Sequence, residues 1–186
     1  MPNVSYPPPI ADLITDRLSE LGPGSPSEAM RPKLAALSVE SLFANKRVVD
    51  QDAARCCLSA LWLWHDFLDE SHALSQEIDT VDGSYWHGIM HRREPDYGNA
   101  KYWFRRVPQH PIHGPLAEQA AQLARANQLD TAAEFLVAQK TWDAFGFVDL
   151  CEAIARGKSQ SDQLAREIAR LEWRLLFEHC YRQAVV

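Results

Sequence analysis

The chain has 186 residues, the size of one domain that buries a sizeable core. Its 46% hydrophobic and 24% charged residues are those of an ordinary soluble globule. A formal charge of −6 argues against a nucleic-acid binder, which carries a basic face, and no window approaches the roughly 18 uninterrupted apolar residues of a membrane span.

The N-terminus shows no basic segment followed by an apolar run, so no signal peptide is expected, and a reducing cytoplasm is the expected compartment. Four cysteines, Cys56, Cys57, Cys151 and Cys180, all fall in stretches that read as helix. Cys56 and Cys57 are neighbours whose side chains point about 100° apart on a helix, a poor geometry for a bridge. Buried, reduced thiols are the expectation.

In chain order, residues 1–9 hold Pro2 and Pro7 to Pro9, which lack backbone donors and fix φ, and read as a disordered arm. That arm is one place where a second copy could be strapped into a homodimer. Residues 10–186 read as a single all-helical domain. Ile10, Leu13, Ile14, Leu18 and Leu21 recur at helical spacing until Gly22. After the GPGSPS loop, a short helix is expected from Ser27 to Leu37, and Ser38 caps a further turn through Phe43.

A long helix is expected from Asp50 to Ile78. Asp82-Gly83 reads as a turn and Ser84 as the cap of a helix from Tyr85 to Glu94, which Pro95 ends. Asn99 is expected to cap Ala100 to Arg106, and Pro108, Pro111 and Pro115 make an irregular crossing. Further helices are expected from Pro115 to Ala126, Asp130 to Lys140, Trp142 to Ala155 and Ser161 to Tyr181. No stretch reads as a strand, so the expected class is all-α, an irregular helical bundle.

The chemistry concentrates between Asp82 and Arg106, where reactive polar groups lie among bulky rings; rings exclude water while polar groups orient a ligand. His65, Asp69, His72 and Gln76 share one face of the expected long helix, and His87, His91 and Glu94 share one face of the next. Two helices joined by a short turn form a hairpin, so the stripes can face each other. Imidazole and carboxylate are ligand types for a divalent transition metal. His65, Asp69, His72, His87, His91 and Glu94 are therefore candidate ligands, and His72, His87, His91 and Glu94 candidate catalytic groups. The alternatives are metal-free acid–base work or a hydrogen-bonded network that fixes the hairpin.

A basic, aromatic segment follows. Arg92, Arg93, Lys101, Arg105 and Arg106 lie among Asp96, Tyr97, Asn99 and Tyr102 and make a candidate pocket for a small phosphate- or carboxylate-bearing ligand. The alternative is an internal ion-pair network. Asp143, Asp149, Glu152, Glu172 and His179 on the late helices are acids and a base that can close the site from across the bundle, or simply face solvent. The dyad His65-Asp66 resembles that of HD-type phosphohydrolases, but the upstream histidine they need is missing.

WHGIMHRREPDYGNAKYWFRRV, with LWHDFLDESHALSQ upstream, resembles the central block of a family of uncharacterised, hypothetical proteins. The resemblance spans about Leu61 to His113, with weaker similarity at WDAFGFVDLCE and EWRLLFEHCYR. It implies no activity, cofactor or catalytic residue. The reading is an enzyme acting on a small anionic substrate with metal assistance; a non-catalytic metabolite- or nucleotide-binding module and a structural helical domain are the alternatives.

Overall fold

A single helix, buried from Gly83 to Arg93, forms the centre around which the other elements pack. The structure is a computed structural model that describes residues 6–44 and 46–185. In chain order the elements are α1 (Pro8–Ala11), a 3-10 turn (Glu28–Met30), α2 (Arg31–Ala35), α3 (Val39–Phe43), α4 (Gln51–Trp64) and α5 (Leu68–Ser75). The central α6 (Val81–Arg93) follows, then α7 (Tyr97–Phe104), α8 (His113–Arg125), α9 (Phe135–Ala138), α10 (Ala144–Ala155) and α11 (Asp162–Ala184). Among the described residues there is no sheet, only one isolated antiparallel bridge between Val48 and Val185. The all-α class is as expected, and among the described residues no helix is long and apolar enough to cross a membrane.

Packing of α6 against α4, α5, α7 and α11 supplies the core. Trp86 donates its indole N–H to Cys180 Sγ at 3.4 Å, and Trp173 on α11 stacks on Phe177 with ring centres 4.8 Å apart. All four thiols are buried and free, as expected, and burial pushes Cys151 up to about 12 and Cys57 and Cys180 well above their usual range.

Several boundaries differ from expectation for identifiable reasons. The helix expected from Ile10 to Leu21 is only the turn α1. Its carbonyl oxygens serve side chains elsewhere: Leu13 takes His65, Leu18 and Ser19 take Arg166, and Gly22 and Pro23 take Arg93. A helix to Leu21 would spend the Leu13 acceptor internally, and the bonds to Leu18, Ser19, Gly22 and Pro23 hold the rest of the segment against α6 and α11. The segment is instead a strap tied across the end of α4. Residues 1–5 of the expected disordered arm lie outside the described residues. Tyr6 packs edge-on against Phe177 and Tyr181, with ring centres 5.4 and 5.0 Å away.

The long helix expected from Asp50 to Ile78 breaks between α4 and α5. Asp66 turns to φ +65° and aims its carboxylate at Arg17 and Arg93, at 2.5 and 2.6 Å. Two charge-assisted bonds from a buried carboxylate outweigh the cost of one left-handed residue.

The expected turn at Asp82-Gly83 is helical. Thr80, not Ser84, caps α6 by accepting from Gly83 N at 3.0 Å. Gly83 permits close approach: a Cβ there would lie 2.2 Å from the Ile78 carbonyl oxygen. Asp96, not Asn99, caps α7, accepting from Asn99 N at 3.1 Å. The Asn99 side chain is thereby left for α6. The region from Asp130 to Lys140 is mostly turns around the short α9, and α8 begins two residues before Pro115.

Candidate metal centre

Two clusters that contain histidine involve α6, one at His87 and His91 and one at Asp82 in its first turn. The first joins α5 and α6, which do pack as the expected hairpin. His72, His87 and His91 each offer one nitrogen, and these atoms all lie within 4.8 Å of one another. Ring centres are 4.7 Å apart for His72–His87, 5.3 Å for His72–His91 and 4.7 Å for His87–His91. Imidazoles sharing one ion at about 2.0–2.1 Å have ring centres roughly 5 Å apart, which is the spacing seen.

Outer partners fix how these rings present themselves. His91 Nδ1 lies 3.0 Å from a Glu94 carboxylate oxygen, which only accepts, so Nδ1 carries the proton and Nε2 the lone pair. Asn99 Nδ2 lies 3.0 Å from that same Nε2, a donor placed on an acceptor. Ser75 Oγ lies 3.2 Å from His87 Nδ1 and 3.4 Å from the His72 carbonyl oxygen, so its one proton serves either, and the His87 tautomer follows from that choice. His87 Nε2 and His91 Nε2 face each other at 2.9 Å, a hydrogen bond when His87 Nε2 carries its ring's proton. With that proton on Nδ1 instead, the two nitrogens present lone pairs that one cation can join.

Burial drops His87 to about 3, aided by His91 and His72 beside it, and burial also lowers His91. Both are held as neutral imidazole, the form that ligates metals. Trp103 covers His87 with ring centres 4.0 Å apart, while half-buried His72, Asn99 and Trp103 give the cluster its outlet.

The remaining candidates divide. His65 is buried on the far side of the α4–α5 break and bonds Leu13 O at 2.9 Å, so it takes no part. Asp69 on α5 and Gln76 just past its end are exposed, and Asp69 is not among the grouped donors. Glu94 stands behind His91 as an outer partner and not as a direct ligand. Gly88 makes room for the Phe104 ring, 3.0 Å from where a Cβ would sit, and for no ligand.

Among the cations, Arg92 and Arg93 are consumed inside. Arg92 is 2% exposed and pairs with the fully buried Glu172 at 2.5 Å, while Tyr85 donates to the other Glu172 oxygen at 3.1 Å. Arg93 donates to Leu63, Gly22 and Pro23 carbonyls and to Asp66. The internal ion-pair network is therefore real for these two, and Glu172 is the acid that closes across the bundle. Lys101 pairs with Asp149, and Arg105 lies over Phe145. Tyr97 is half-buried, Tyr102 is exposed and Asp96 is occupied as the cap of α7. Arg106 alone of the five stands beside the cluster. It lies 4.9 Å over the Trp103 ring and holds exposed Asp79 at 2.6 Å, a solvent-screened pair that a substrate anion can displace.

The second cluster was not legible beforehand. Asp82 Oδ1 lies 2.7 Å from His110 Nε2 and 3.4 Å from His179 Nε2, and these three also form a group with donor atoms within 4.8 Å. Hydrogen bonds from both imidazoles hold the Asp82 carboxyl well below its usual range although burial opposes them. His113 adjoins His110, with ring centres 5.8 Å apart, and burial drops it to about 4. The HxxH spacing at His110 and His113 was the available signal, hidden in a proline-rich crossing read as irregular.

Comparison with known proteins gives no match: no family model, no curated protein and no solved structure matches the chain.

Proposed function

We propose that His72, His87 and His91 bind a divalent transition metal and that the chain is a metal-dependent enzyme acting on a small phosphate- or carboxylate-bearing substrate. The observation that supports it most is the convergence of one nitrogen from each of His72, His87 and His91 within 4.8 Å, with Glu94 behind His91 and Ser75 behind His87. A carboxylate or hydroxyl behind each ligating imidazole is the usual outer support of a metal site. Three protein ligands leave a further coordination position, the arrangement of catalytic rather than structural sites. When bound there, the metal supplies Lewis acidity to a substrate oxygen or a water.

The chain's own groups provide the rest. Glu94 keeps His91 in one tautomer. Asn99 borders the outlet with an amide that can donate to a substrate oxygen. Trp103 walls the site from water, and Arg106, freed from Asp79, holds the substrate's negative charge. With Arg92 and Arg93 committed to the fold, one available guanidinium suits a substrate with one anionic group.

The test is hydrolysis of phosphomonoesters and carboxylic esters by untagged protein with added Zn²⁺, Mn²⁺, Co²⁺ or Ni²⁺. Metal-dependent turnover should vanish in His91→Ala with the helical circular dichroism intact, and Arg106→Ala should raise KM more than it lowers kcat. Thermal stabilisation by phosphate without turnover would instead indicate a binding module. Unfolding of His91→Ala would indicate that the cluster is a structural network.

A further inference from the structure

The second cluster has a different design from the first. Asp82 sits in the first turn of α6, His179 near the end of α11, and His110 in the crossing that leads into α8. Three segments distant in sequence thus meet at one carboxylate. His110 and His179 have ring centres 4.7 Å apart, again near the roughly 5 Å of imidazoles sharing an ion. His113 adjoins the group, 8% exposed, and its buried Nε2 has no hydrogen-bond partner among the described residues.

We propose that Asp82, His110 and His179 form a second site for a divalent transition metal of the zinc type. The donor set is one carboxylate and two imidazoles, ligand types that zinc takes. The side chain of His110 is 1% exposed and those of Asp82 and His179 are 19% and 17% exposed. His179 also lines a surface groove of about 210 Å³ with Pro111, Ile112 and Leu175, which gives the ion a way in. Binding replaces the hydrogen bonds from His110 Nε2 and His179 Nε2 to Asp82 and displaces the Ile112 N–H from His110 Nδ1, at 3.3 Å, since ligation by Nε2 puts the proton on Nδ1. The ion would pin the C-terminal end of α11 and the start of α8 to the start of α6. It is independent of the site at His72, His87 and His91.

The test is metal content by plasma mass spectrometry on untagged full-length protein loaded with Zn²⁺ and dialysed, alongside Asp82→Asn, His179→Gln and His87→Ala. Wild type should retain about two ions per chain, with about one in each variant, because the sites fill separately. Chelation should lower the melting temperature of His87→Ala, which keeps the ion that ties α6, α11 and the crossing together, and leave that of Asp82→Asn and His179→Gln much less affected. His179→Gln, half-buried and near the end of its helix, supplies the answer should Asp82→Asn not fold. Zinc content equal to wild type in Asp82→Asn and His179→Gln overturns the second site. A single ion lost only in His87→Ala overturns it too while leaving the first site standing; a single ion lost only in Asp82→Asn and His179→Gln does the reverse.

Discussion

Glu172→Ala removes the one acceptor that the buried Arg92 guanidinium has among the described residues. Arg92 is 2% exposed, Glu172 is fully buried, and Arg92 Nη1 already lacks a partner among the described residues. Removing one member of such a pair strands a charge in an apolar setting between Phe104 and Phe147, at a cost of about 3–5 kcal/mol. Tyr85 loses its acceptor in the same step. For a domain of this size the melting temperature should fall by roughly 10 °C. Arg92→Met with Glu172→Met, which removes both charges, should recover most of that loss, because well-packed apolar replacements of a buried pair are often neutral. Urea denaturation followed by far-ultraviolet circular dichroism measures both. A single variant within about 1 kcal/mol of wild type, or a double variant as unstable as the single, would refute the assignment of Arg92 to the fold.

Gly83→Ala should destabilise the protein severely, because its Cβ would lie 2.2 Å from the Ile78 carbonyl; a thermal melt like that of wild type would show that the turn before α6 yields easily. Glu94→Gln should weaken metal affinity by about 10–100-fold, the usual effect of losing a carboxylate behind a ligating imidazole, with little change in stability. Competition with a chromogenic chelator reads that change, and unaltered affinity would detach Glu94 from the site. His65 is lowered from the ordinary 6.5, chiefly by burial, so the unfolded chain binds more protons below that pH. Its contribution to stability is therefore complete above pH 6.5 and lost as pH falls toward its folded value. His65→Gln should flatten the acid side of the stability profile relative to wild type; an unchanged slope in chemical denaturation between pH 7 and pH 5 would contradict this.

Helical periodicity made the fold class legible, because most of the apolar positions recur every three or four residues. It misled where side chains compete for backbone acceptors. The strap from Leu13 to Pro23 has a helical pattern, yet Arg93, Arg166 and His65 take its carbonyls, and nothing local to the strap announces residues so distant in sequence. The same distance hid the break at Asp66, whose carboxylate answers Arg17 and Arg93.

At the site, His72, His87 and His91 were legible because their i, i+4 spacing and the hairpin bring them together without long-range information. The arginines were not. A cluster of cations reads as an anion pocket until Glu172, 80 residues from Arg92, turns one of them inward. Asp82, His110 and His179 escaped for the same reason, since α6, the proline-rich crossing and α11 meet only in the folded chain.

Metal content of untagged, zinc-loaded protein carrying Asp82→Asn, compared with the same protein also carrying His87→Ala or His91→Ala, tests the centre at α5 and α6 most directly. About one ion per chain in Asp82→Asn, lost in both further variants while their circular dichroism stays helical, is the expected result. Absence of metal in Asp82→Asn, or an ion retained after His87 and His91 are each replaced, would contradict a three-histidine metal centre.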